Sequence, residues 1–147
     1  MRVDFYQLSR DPVEQAVAQI ARATLRSGNR LLIVADDEAL RTAISDALWA
    51  MDDSFLANGQ AGTGHDDRQP ILLSGAVDPA NGARFLALAD GLWREPEGMA
   101  DAIERVFLFF DDRTIADARQ LWRDIGQREG VERHFWKQEG ARWVEAA

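Results

Sequence analysis

The sequence has no cysteine and only two histidines, His65 and His134. The first absence excludes a disulfide framework, a thiolate zinc site and a cysteine nucleophile. It also fits a reducing cytoplasm, the location expected for this chain. The second leaves little imidazole for proton transfer or metal ligation. No GxSxG motif and no Gly-Lys-Ser/Thr triplet occur, so neither a nucleophile elbow nor a P-loop is written here. No apolar run approaches the length of a membrane span, so no membrane partner is expected. Arg2, Asp4 and Arg10 interrupt the N-terminal run that a signal peptide needs.

What is present is an ordinary globular composition, 46% hydrophobic and 29% charged over 147 residues. That length suits a single domain, residues 1–147, with one core. The net charge is −8. Such a chain repels nucleic acid on average, because phosphate neutralisation needs clustered Lys and Arg. The acid is unevenly spread, however. Between Arg113 and Lys137 stand six basic residues (Arg113, Arg119, Arg123, Arg128, Arg133, Lys137) and four acidic ones (Asp117, Asp124, Glu129, Glu132). A small basic patch on an acidic body suits a short acidic ligand better than a nucleic-acid backbone.

Periodicity organises the chain. VDFYQL alternates like a strand. Asp11-Pro12 starts a helix through Leu25, with Asp at the cap and Pro in the first helical position, and Gly28 closes it. RLLIVA is a continuous apolar run, the mark of a strand covered on both faces. A second helix follows, capped by Asp36 or Asp37, with Leu40, Ile44, Ala47 and Leu48 on its apolar face. Residues 52–70 read as a long irregular connection. PILLSG, ARFLALAD and VFLFF read as further buried strands, with a short helix from about Met99 to Glu104 before the last. A third helix spans about Thr114 to Arg128, ended by Gly130. VERHFWKQ and ARWVEA form a terminal hairpin. Alternating strands and helices predict an α/β fold: a largely parallel sheet, helices on both faces, and an antiparallel C-terminal hairpin at one edge.

The glycine-rich GQAGTG fails as a dinucleotide fingerprint. Its spacing is GxxGxG, it follows a helix, and two aspartates come next. His65, Asp66 and Asp67 are of metal-ligating types, but a solvated polar loop is the preferred reading of them. No carboxylate pair stands out as acid and base. Catalytic, cofactor and metal sites are therefore all expected to be absent; the rival reading is a doubly wound nucleotide-binding protein or enzyme. Arg119 and Arg123 are four apart and share one helix face, with Trp122 beside them. An arginine fork suits a carboxylate, and an indole supplies an apolar wall. The alternative is a solvated basic face with Trp122 docked in the core. Trp49 falls at the edge of its helix's apolar face, and Phe55 follows shortly after. Both are interface candidates, or else core residues.

Taken in order, VDFYQL, SGNRLLIVADDE, DALWAMDDSFLANGQAG, QPILLSG and ARQLWRDIGQREG resemble the chi-subunit family of bacterial DNA polymerase III holoenzyme. The resemblance covers nearly the whole chain. It implies a Rossmann-like fold that binds no nucleotide, and a non-catalytic accessory subunit in DNA replication. It implies two partners: the psi subunit, which tethers chi to the clamp loader, and the acidic C-terminal tail of the single-stranded DNA-binding protein. Trp49 and Phe55 match the psi-facing positions. Arg119, Trp122 and Arg123 match the tail-binding pattern. The pattern departs at Gly126, where a basic residue would sit, and Arg128 is the candidate to replace it.

Overall fold

A computed structural model describes residues 1–51, 56–95 and 102–147. The elements are β1 (Arg2–Gln7), α1 (Val13–Arg26), β2 (Leu31–Val34), α2 (Glu38–Trp49), β3 (Asn58–Gln60), β4 (Ile71–Ser74), β5 (Phe85–Leu88), β6 (Arg105–Phe110), α3 (Ile115–Gly126), β7 (Glu132–Glu139) and β8 (Arg142–Glu145). They build one eight-stranded sheet in the order β3-β4-β2-β5-β6-β1-β7-β8. Every pairing is parallel except β7 with β8.

The continuous apolar runs become the central strands for the reason expected: each is covered on both faces. All four residues of β2 are fully buried. Leu31 and Ile33 face α1 and α2, packing with Val17, Ala21, Ile44 and Leu48. Leu32 and Val34 face the other way, into the cluster that holds Phe5, Phe110 and the α3 residues Ala118 and Ile125. Helices therefore cover both faces, with α1 and α2 on one and α3 on the other.

Local chemistry sets the helix ends. The N–H of Asn29 bonds the Thr24 carbonyl (3.1 Å), and that of Gly28 bonds Leu25 (3.0 Å). This double closure needs a left-handed residue between helix and loop, and Gly28 supplies it at φ +83°. Asp37, not Asp36, caps α2, accepting the Ala39 N–H at 2.9 Å. Asp11 does not cap α1. The helix begins one residue later than expected, at Val13 after Pro12, with no side-chain cap. The Asp11 carboxylate is drawn instead to the Gln138 side-chain amide (2.9 Å).

Two other details depart from the reading of the sequence. Residues 58–60, read as irregular, form β3 at the sheet edge, paired parallel with β4. The hairpin is antiparallel within itself, but β7 joins β1 in parallel. The reason is α3, which carries the chain back across the sheet so that β7 runs in the same sense as β6. Residues 99–101 of the short helix expected before β6 lie outside the described residues; Ile103 is buried there and no helix is formed at Ala102–Glu104.

Candidate docking groove on the last helix

Helix α3 is amphipathic. It buries Ala118 and Ile125 completely enough to hold it on the sheet. Arg119 and Arg123 then fall on its flank, exposed and one turn apart. Trp122, between them, does both jobs that the sequence left open. Its ring meets Phe5 edge-on at 5.2 Å and Phe135 edge-on at 5.8 Å, so it is part of the core. Its remaining surface is a wall of a pocket of about 190 Å³ lined by Arg119, Trp122, Arg123, Phe135 and Ala147.

The pocket has an apolar floor and a cationic rim. Arg123 donates to the Gln120 side chain at 2.8 Å, and Gln120 in turn donates to Asp124 at 2.9 Å. This chain holds the Arg123 guanidinium in place. The Arg119 side chain has no hydrogen bond or ion pair among the described residues. The structure thus brings together three of the four residues predicted for this site.

Arg128 stands apart. It lies past the end of α3 and makes two bonds to the Glu95 carboxylate, at 3.0 and 2.5 Å. The Arg128 hydrogen bonds, opposed by slight burial, hold Glu95 below the usual carboxylate range. The gap at Gly126 is filled from a neighbouring strand instead. A Cβ on Gly126 would sit 2.6 Å from the guanidinium of Arg133. That guanidinium stacks over the Trp122 ring at 4.2 Å and donates to the Trp122 carbonyl at 2.5 Å. Arg133 therefore positions Trp122.

Sequence reasoning missed Phe135 and Arg133 as parts of this site. The signal was the period of β7: Arg133, Phe135 and Lys137 alternate onto the face that meets α3, while Trp136 packs on the opposite face with Tyr6.

The other candidates are placed as follows. Trp49 ends α2 with 48% of its surface exposed, while its neighbour Leu48 is fully buried. Phe55 lies outside the described residues. Asp66 accepts the Gly62 N–H at 3.0 and 3.1 Å, which closes the glycine loop on itself. His134 bridges strands: Nδ1 lies 2.5 Å from Glu145 and Nε2 3.3 Å from Glu132. The Glu145 hydrogen bond, against mild desolvation, raises its pKa. Among the described residues no group of His, Asp or Glu is arranged to hold a metal, and no helix is long and apolar enough to cross a membrane.

Larger cavities, of about 760 and 500 Å³, lie at the carboxyl ends of β1, β5 and β6. In doubly wound sheets that crevice is where nucleotides bind. Here it is lined by Asp11, Glu14, Asp37, Asp90, Asp111 and Asp112 against Arg10 and Arg113. Six carboxylates against two guanidiniums repel a phosphate.

Fold and groove together define a class: a doubly wound α/β domain with a cation-rimmed apolar groove beside its last helix. Within that class the chain belongs to the DNA polymerase III chi subunit family; residues 1–134 match the family described as DNA polymerase III chi subunit, HolC. It is also 37% identical over 78 residues to the DNA polymerase III subunit chi of Escherichia coli (strain K12), a match that covers 48% of this chain and 53% of that relative. The matched region is thus about half the length of that relative.

Proposed function

We propose that this chain is a non-catalytic accessory subunit of the DNA polymerase III clamp-loader complex. In this reading it links psi, or an equivalent protein, to the acidic C-terminal tail of the single-stranded DNA-binding protein. The observation that carries the reading is the apolar pocket of Trp122 and Phe135 bracketed by Arg119 and Arg123 on a chain of net charge −8. A terminal hydrophobe fills the pocket, and arginine forks take the carboxylates around it. Arg128 joins the site only by exchanging Glu95 for a carboxylate of the tail. Contact with DNA runs through the tail's owner, since a chain of net charge −8 repels the phosphate backbone and its cation-rimmed pocket is small; salt-sensitive retention of an oligonucleotide by the isolated protein would contradict this.

The test is an anisotropy titration of a labelled tail peptide. Arg119→Ala and Arg123→Ala should each weaken binding by about 1.5 to 3 kcal/mol, roughly ten- to a hundred-fold. Equal affinities for all three proteins would place the site elsewhere. The second surface is Trp49 with Phe55. Trp49→Ala should change the stability by no more than about 0.5 kcal/mol, because the ring is half exposed, yet weaken capture of the partner by about 2 kcal/mol or more. A large loss of stability would mark Trp49 as a core residue.

A further inference from the structure

The imidazole of His134 has a carboxylate at each of its nitrogens. Nδ1 lies 2.5 Å from Glu145, at the end of β8, and Nε2 lies 3.3 Å from Glu132, at the start of β7. A neutral ring carries one N–H and can donate to one of them; the imidazolium carries two and can serve both. Nε2 is buried, and its contact with Glu132 is an ion pair without an aligned hydrogen bond. Deprotonated there, its lone pair would face the Glu132 carboxylate. The site therefore selects the charged ring. Two further charges reach it from β1: Asp4, the register partner of His134, which favours the proton, and Arg2, which opposes it.

The contact has a position to control. β8 is four residues long and pairs only with β7. Among the described residues, the Glu145–His134 contact is the single hydrogen bond or ion pair made by a β8 side chain. Just past Glu145 the backbone closes on Phe135. The Ala146 N–H donates to the Phe135 carbonyl at 2.7 Å, and the Phe135 N–H donates to the Ala147 carbonyl at 3.0 Å. Ala147 and Phe135 are walls of the Trp122 pocket.

We propose that His134 is a pH-sensitive latch on the terminal hairpin: charged, it clamps Glu132 and Glu145 and fixes the Ala147 wall of the pocket; neutral, it lets that wall loosen. The Glu145 hydrogen bond raises the His134 pKa against mild desolvation, and Glu132 adds to the rise. A group whose pKa is raised on folding contributes stability that is fully present below its unfolded value, here 6.5, and lost as the pH rises through the folded value. The clamp is thus closed in mild acid and opens above 6.5. The latch needs no ligand. Its consequence for docking rests on the tail-binding reading: a fixed wall is preorganised and binds more tightly.

The test is an NMR titration of the full chain, following the His134 ring together with amide protection at Phe135 and Ala146, each rate taken relative to an unstructured chain at the same pH. The ring should titrate above 6.5, and protection at both amides should fall about three- to five-fold with the same midpoint. His134→Gln should show low protection that does not follow pH in this range. Glu145→Gln should lower the ring's midpoint. A ring that titrates at or below 6.5, or protection indifferent to its titration, would overturn the latch. Affinity for the tail peptide should fall by a similar factor over the same range in wild type and stay level in His134→Gln. Falling protection with level wild-type affinity would refute the control of docking and leave the latch standing. If Arg119→Ala and Trp122→Ala do not weaken the peptide at any pH, the tail-binding reading fails, and the ring and amide data decide the latch by themselves.

Discussion

Asp4 shows how single residues hold the frame on which the groove is built. Its carboxylate is fully buried and takes hydrogen bonds from Arg2 (2.9 to 3.2 Å), Arg105 (2.8 Å) and the Trp136 indole (2.9 Å). Burial pushes its pKa up, and the bonds from Arg2, Arg105 and Trp136 outweigh that, so Asp4 titrates below the usual carboxylate range. A depressed carboxylate contributes stability that is present above its unfolded pKa and lost as the pH falls through the folded value. Asp4→Asn should therefore destabilise the domain at neutral pH by about 2 to 3 kcal/mol, less than a fully buried pair because both arginines are partly solvated. The deficit should begin to shrink as the pH drops below about 4, where Asp4 of the unfolded chain takes up its proton, and vanish once the pH has fallen through the lower folded value. Urea titrations of both proteins across pH check this; a deficit independent of pH would mean that the ion pairs contribute nothing.

At the scale of elements, the terminal hairpin organises more than its own edge. Gln138 on β7 accepts the backbone N–H groups of Ser9, Arg10 and Asp11 (3.1 to 3.3 Å) and donates to the Asp11 carboxylate. One amide thus fixes the β1–α1 loop, and it explains why Asp11 leaves the helix uncapped. Gln138→Ala should cost about 1 to 2 kcal/mol in stability and raise amide exchange at residues 9–11; unchanged exchange there would show that the loop holds itself. This coupling spans 127 residues, which is why no local rule revealed it. Local rules did reveal the elements with strong periods: the apolar runs of β2 and β6, the Gly28 closure, and the α2 face ending in Leu48. They missed β3, since Asn58-Gly59-Gln60 has no pattern and pairs only because β4 offers its edge. The same division holds at the groove. Arg119, Trp122 and Arg123 are legible because one helix carries them at helical spacing. Phe135 and Arg133 need the parallel register of β7 on β1, and the diversion of Arg128 depends on Glu95, which is 33 residues away.

The whole molecule combines an acidic body with a cationic, apolar cleft between its last helix and its last strands. On the proposed reading, a long-range repulsion of polyanions and a short-range attraction for one acidic terminus coexist on one surface. The nucleotide crevice typical of this fold is instead lined with carboxylates. The central claim is that the acidic tail docks against Trp122. The five tryptophans report on it separately, because each indole N–H gives its own NMR signal. Trp136 donates to buried Asp4, Trp93 to Glu95, and Trp49 stands exposed at the far end of α2. In a titration of labelled protein with the tail peptide, the Trp122 indole should shift progressively to saturation while Trp49 stays in place. A Trp122 signal that does not move at saturating peptide, or a shift confined to Trp49, would contradict the account.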